Sequence, residues 1–372
     1  MALKNRKEDH LFMSYQEVKT GNENSPDTYV ETTARFESHG IMDLPEPTRM
    51  YEEDTGKLGT GQHGNQGDIM AIGTPFSISS VERLSEFAYW LSFLTGRADS
   101  VNLISTGVYS HMLDMLAAAS LDMPTFTFEH GNAAANFVHA GNLINDCSIT
   151  IPINSGNGKI DATFNGWGNH HYVSAGVLTK MTNGTMSSAA ESILTEPLIS
   201  GKCCNIWIAD ALEDDFGQTS VDFTGEDLGS NLVEITSLVN SITFTINNGM
   251  SLEATLRGGG SGIVNDWTRG VPVITLEINL RKNVSTADFR SFALLNTQKA
   301  VEILFQGPAI TGAYRNAMDL FFPVIEFRGT TEDGETPTNQ TIPVRVLEDS
   351  NGYAFRALFQ TAIDEGYNAT AP

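Results

Sequence analysis

Leu238-Val239-Asn240-Ser241-Ile242-Thr243-Phe244-Thr245-Ile246-Asn247-Asn248-Gly249 is the stretch on which the reading of this chain turns. Apolar Ile242, Phe244 and Ile246 alternate with polar Thr243, Thr245 and Asn247, the period of a half-buried β-strand. Asn247-Asn248-Gly249 supplies turn chemistry, and Leu252-Glu253-Ala254-Thr255-Leu256-Arg257-Gly258 resumes the alternation, so the segment predicts a β-hairpin. A second segment has the same layout. Leu143-Ile144-Asn145 leads into Ser148-Ile149-Thr150-Ile151, then Asn154-Ser155-Gly156-Asn157-Gly158, then Ile160-Asp161-Ala162-Thr163-Phe164-Asn165-Gly166. Two explanations stay open. One β unit was duplicated, or two strand-turn-strand segments converged because few residue types suit each position.

Outward from these segments, composition points the same way. The chain has 372 residues, which predicts two domains rather than one. Hydrophobic residues make up 41% and charged residues 18%, enough for real cores and too little charge for disorder. With 34 glycines and frequent Asn, Ser and Thr, the profile is that of an all-β protein with many turns. The formal net charge of -23 argues against binding nucleic acid through phosphate neutralisation, which needs clustered Lys and Arg. Cys147, Cys203 and Cys204 fit neither an ordinary disulfide nor a CxxC metal site, so reduced thiols and a reducing compartment are expected. The basic residues near Met1 have no apolar stretch behind them, so no signal peptide is read, and no run reaches membrane-span length.

Three parts are expected along the chain: residues 1–68 as an N-terminal arm and long loop, 69–200 as a first β domain, and 201–372 as a second. The first part is polar and irregular, with isolated apolar anchors such as Met50-Tyr51. A strand is predicted near Ile69–Ile78, followed by a capping box at Ser79 and Glu82. Behind it Leu84, Phe87, Ala88, Leu91 and Leu94 lie at helical spacing, and Gly96 closes the helix. Further strands are predicted near 101–108, 123–130, 136–153, 159–165, 206–223, 271–280, 299–305, 318–328 and 341–347. A second helix begins near Ser285-Thr286-Ala287-Asp288, with Phe289 and Phe292 facing a sheet.

Catalytic and ligand motifs are weak. Gly59-Thr60-Gly61-Gln62-His63-Gly64 matches GxGxxG, but neither a strand before it nor a helix after it is expected, so it reads as a loop. Adjacent His170-His171 lacks supporting ligands at metal spacing, and His130 reads as a turn residue. Glu332-Asp333-Gly334-Glu335 lacks the alternation of a calcium loop. No GxSxG elbow or P-loop is present. Leu304-Phe305-Gln306-Gly307-Pro308 resembles the recognition sequence of a viral protease, yet patterned sequence on both sides predicts that it is native and folded. No catalytic residue, cofactor or metal is expected.

Several segments together resemble the major tail tube proteins of long-tailed bacteriophages. They are Thr125-Phe126-Thr127-Phe128-Glu129, the hairpin Leu143 to Gly166, the phrase Leu238 to Gly249, Ala300 to Phe305 with Gly307-Pro308, and the strand Met318 to Phe327. The resemblance covers most of residues 70–350 and rests on strand patterns. It implies a mainly β fold of two tandem tail-tube-like sandwich or barrel domains, each with a flanking helix, plus an N-terminal arm and long loops. It implies self-assembly into stacked rings, three chains each with pseudo-sixfold symmetry, or six chains as the alternative. The tube would conduct DNA without specific binding, stand in the virion tail after assembly in the host bacterial cytoplasm, and meet tape-measure, tail terminator and distal tail proteins. Tyr51, Leu58, Gly61, Gln62, His63 and Ile69 are then candidates for contact between rings. An acidic lumen would raise no phosphate-neutralising contacts. Another β-rich virion or surface protein, a capsid decoration protein or an adhesin, is the alternative, and a sandwich-fold carbohydrate enzyme is a third.

Overall fold

The computed structural model describes residues 10–16, 32–36, 48–52, 68–79, 83–96, 100–116, 123–132, 135–168, 170–173, 198–211, 231–255, 263–281, 287–329, 331–332, 339–364 and 366. The chain is mainly β. Its early strands are β1 (His10–Gln16), β2 (Thr32–Phe36), β3 (Thr48–Glu52) and β4 (Asp68–Ser79), followed by helix α1 (Leu84–Thr95). Next come β5 (Ser100–Ser105), β6 (Val108–Leu116), β7 (Phe126–Asn132), β8 (Ala135–Pro152), β9 (Asp161–Gly168) and β10 (His170–Val173). The second half opens with β11 (Cys204–Asp210), β12 (Val233–Glu234), β13 (Val239–Asn247), β14 (Ser251–Thr255), β15 (Ile263–Thr268) and β16 (Val273–Arg281). Helix α2 (Ala287–Leu295) precedes β17 (Gln298–Thr311), β18 (Tyr314–Phe327), β19 (Thr331–Glu332), β20 (Asn339–Leu347) and β21 (Tyr353–Thr361).

The two copies of the repeated phrase pair with each other. β8 and β13 run antiparallel with Ile149 opposite Phe244, Thr150 opposite Thr243 and Ile151 opposite Ile242. Thr150 and Thr243 hold equivalent places in the repeat, and their hydroxyls meet at 3.1 Å across the middle of the pair. Both copies then turn through a glycine in the left-handed region, Gly156 and Gly249, each at φ 58°. Beyond the turn they diverge. β9 returns directly along β8, so the first hairpin forms as expected. The second does not. Both edges of β13 are occupied, by β8 and by β16, and β14 pairs instead with β15. The turn at Gly249 therefore leads into an inserted hairpin, and the returning strand is β16, with Thr243 opposite Glu277 where Thr150 has Asp161.

Two layers result. Layer one has the order β4-β9-β8-β13-β16-β20. Layer two has the order β5-β6-β21-β18-β17-β11-β12. They join where the far end of β18 pairs with β20, Val324 opposite Leu347. Their inner faces meet in one core, with Phe244 of layer one at 5.9 Å from Phe322 and 6.1 Å from Phe355 of layer two. Helix α1 wedges against both, Phe87 touching Phe164 and Phe359. Strands from the two halves of the sequence interleave in both layers, so neither half closes a core alone. Two strand-helix-hairpin segments, β4-α1-β5-β6 and β16-α2-β17-β18, flank β21, but their hairpins enter layer two in opposite order. They are thus not related by simple side-by-side repetition.

Helix α1 matches the expected span, and Gly96 closes it at φ 76° with its N–H donating to the Ser92 carbonyl. The expected capping box is not used. Ser79 ends β4 and the N-cap is Arg83, whose carbonyl accepts from the Phe87 N–H. The second helix also forms, with Phe289 buried and Phe292 stacked 5.8 Å from Phe327. Tyr51 and Glu52, read as irregular chain, are strand. Strands β1 and β2 likewise lie within the stretch read as an arm, β1 pairing with β7. The segment near 101–108 is a two-strand hairpin, and β21 lies where no strand was expected. Leu304 to Pro308 lies within β17 as expected, with Leu304 and Phe305 buried.

Candidate functional site

Layer two is the unusual surface of this molecule. On a strand, successive side chains alternate between faces, so one face of layer two goes to the shared core and the other points away from it. The register fixes which residues share the outward face. One row runs Asp114, Arg356, Phe321, Glu302, Trp207, Glu234 across β6, β21, β18, β17, β11 and β12. The next runs Met112, Leu358, Asp319, Leu304, Asn205. In layer one the outward residues are wet, as the strict alternation along β16 shows. In layer two both faces of the central strands are buried, and Ala209, Ala300, Leu304, Ala317, Phe321 and Leu358 form a second apolar cluster.

That outward face also holds charge. Arg356 donates to Asp114, both almost fully buried, and Glu302 and Asp319 are buried among the apolar residues. Three carboxylates thus share the face with one guanidinium. At its margin the Lys299 ammonium donates to Asp210 at 2.7 Å and Asn231 adds a second hydrogen bond, which together hold the Asp210 carboxyl below the usual carboxylate range. Burial pushes the Cys147 and Cys204 thiols well up, so both are inert structural residues; Cys203 is exposed, and all three cysteines are free.

Both lateral edges of layer two are open among the described residues. β5 pairs only with β6, and β12 only with two residues of β11. Each edge strand carries an exposed apolar side chain, Leu103 at 66% and Val233 at 57%. An open edge offers unpaired N–H and C=O groups to any strand that can align with it. Proteins that stay monomeric place charge or proline there, and neither Leu103 nor Val233 meets that need.

The residues expected to touch neighbouring rings divide. Tyr51 and Ile69 lie directly opposite each other on β3 and β4. Leu58, Gly61, Gln62 and His63 lie outside the described residues, as does the whole GxGxxG match. His170 and His171 sit on β10, His171 opposite His139 of β8. His130 is a strand residue of β7 rather than a turn residue. Of Glu332 to Glu335 only Glu332, in β19, is described. Among the described residues no group of three His, Cys, Asp or Glu side chains is placed to hold a metal, and no helix is long and apolar enough to cross a membrane. Leu103 and Val233 were not singled out from sequence. Nothing in a short strand says whether its second edge will find a partner.

No model of a known protein family matches this chain, and no curated protein matches it.

Proposed function

We propose that the chain is a structural protein that polymerises into rings stacked as a hollow tube, in the manner of the phage tail tube proteins its sequence resembles. The observation that supports this most is the pair of open apolar edges on layer two. An edge at each end of one sheet lets the β5 edge of one copy extend the β11-β12 edge of the next. Repeated around an axis, that contact closes a barrel and removes every edge. A heterologous contact of this kind makes a ring when the rotation closes.

In this reading the two strand-helix-hairpin segments are tandem tube units, so three chains complete a pseudo-sixfold ring. The outward face of layer two lines the lumen. Asp114, Glu302 and Asp319 outnumber Arg356 there, and a wall of net negative charge lets DNA slide past without sticking. Leu58, Gly61, Gln62 and His63 stand as candidates for contact between rings, and the tail's terminator, distal and tape-measure proteins as partners. The virion tail is the site of action, and neither catalysis nor a cofactor is part of the proposal. The face is buried in the single chain, so the reading requires it to become solvent-accessible on assembly.

Two variants test the edges. Leu103→Lys with Val233→Lys should keep the fold by circular dichroism and abolish rings in sedimentation. Rings of unchanged mass in the double variant would remove the support that the edges give. In a Cys203→Ser background, Leu358→Cys should resist maleimide in the monomer and react in the assembly; protection in both states would contradict a lumenal position.

A further inference from the structure

The hairpin β17-β18 is longer than the strands beside it. β11 accompanies β17 only as far as Phe305, and β21 accompanies β18 only from Ala317. Residues 306–316 therefore project as a two-stranded ribbon with no lateral strand on either side. The ribbon is braced from within. The Arg315 guanidinium donates to the Gly307 carbonyl at 3.4 Å, Asn316 to the Pro308 carbonyl at 3.3 Å, and Gln360 to the Arg315 carbonyl at 2.5 Å. Its tip exposes Ala309, Thr311, Gly312 and Ala313, with Ile310 and Tyr314 half-buried. From Gly307 to Tyr314 no residue is charged.

At the other end of the same strand lies a second bare patch. Leu294 and Leu295, the last residues of α2, are 78% and 75% exposed, and β17 begins three residues after Leu295. Every residue of α1, by contrast, is buried. From Ser291 to Gln298 no residue is charged. The 14 residues of β17 put these features about 45 Å apart along one strand direction.

The charge of the chain narrows what meets these two patches. Copies carrying a net charge of -23 repel one another and can approach closely only where acids are absent. Two uncharged, exposed features at opposite ends of one strand satisfy that condition, one projecting and one apolar. We propose that the β17-β18 tip of one copy seats on the Leu294-Leu295 end of α2 in a second copy, an end-to-end contact that stacks copies along the strand direction. Ile310 and Tyr314 supply apolar surface, the two leucines receive it, and the internal bracing leaves little ordering entropy to lose on docking. The contact rests on the ring reading only for its biological setting, because ring closure uses the lateral edges and stacking uses the ends.

The test is analytical ultracentrifugation with electron microscopy of the full-length chain, wild type beside Ile310→Asp, Ala313→Asp, Leu294→Asp and Leu295→Asp. All four sites are on the surface, and circular dichroism checks the fold of each variant. The expected result is wild-type assemblies longer than one ring, and variants that stop at single rings. Mixing Ile310→Lys with Leu294→Asp should restore stacking that neither variant achieves alone. Tubes of wild-type length in all four variants would overturn the end contact and leave the ring reading intact. Open end-to-end chains without rings, abolished by Ile310→Asp, would support the contact and overturn the ring reading. A wild-type chain that stays monomeric at every concentration would overturn both.

Discussion

Layers one and two share a core and a residue vocabulary, yet they treat their second faces in opposite ways. Layer one keeps the ordinary economy of an antiparallel sheet, with Thr243, Thr275 and Glu277 on the outer side and Phe244, Leu276 and Ile278 within. In layer two the central strands β17, β18 and β21 are buried on both faces, charges included, while the lateral edges stay open. The lesson is that a sheet's solvent exposure and its completeness are separate properties. Layer one is wet but finished, flanked by partners on both sides of its repeated pair. Layer two is dry but unfinished, which is the condition of a surface that another copy completes.

The contrast can be broken most sharply at Arg356. Replacing it with Met leaves Asp114 buried without its counter-charge, so chemical denaturation should register a loss of about 3–5 kcal/mol. Replacing both partners with apolar residues should recover most of that; no recovery would mean that Arg356 serves contacts other than the ion pair. Leu304→Ala probes the same face without charge. If it belongs to a true second core, the loss should fall at about 2–5 kcal/mol, as for a buried leucine elsewhere. A value below about 0.5 kcal/mol, typical of surface changes, would show that this face is not packed in solution.

Layer one supplies the opposite expectation. Thr275 bonds Thr245 on the wet face at 2.5 Å, and Thr275→Ala should change stability by no more than about 0.5 kcal/mol. A loss of core size there would erase the distinction between the layers. The smallest effect is electrostatic. The Asp210 carboxyl is held below its usual range by Lys299, so the folded state favours the ionised form. Its contribution is present above the unfolded value of about 3.9 and is lost as pH falls through the folded value. Denaturation of wild type and Asp210→Asn from about pH 5 to about pH 2 should therefore show a gap that closes on acidification. A gap that widens would reverse the sign of the argument.

Local chemistry made much of this fold legible, and non-local pairing made the rest invisible. The β8-β9 hairpin could be read because alternation, turn residues and partner all fall within one short window. The phrase at β13 has the same alternation and the same turn glycine conformation, yet its partner is β16, beyond an inserted hairpin. Period-two patterning announces a strand but does not name its neighbour. β21 escaped notice for a different reason. Tyr353-Ala354-Phe355-Arg356-Ala357-Leu358-Phe359 is buried on both faces, so the polar alternation that marks a strand is nearly absent. The capping box failed because Ser79 is drawn into β4, where its pairing with Thr163 outweighs a helix cap. The open edges at Leu103 and Val233 are the least legible of all, since an edge is defined by the strand that is missing.

Electron microscopy of the purified chain over a range of concentrations, with native mass on the same sample, tests the central claim most directly. The account predicts closed rings or tubes whose wall continues from β5 of one copy into β11 and β12 of the next, with three chains in each ring. A chain that remains a monomer at every concentration, with Leu103 and Val233 free in solution, would contradict it.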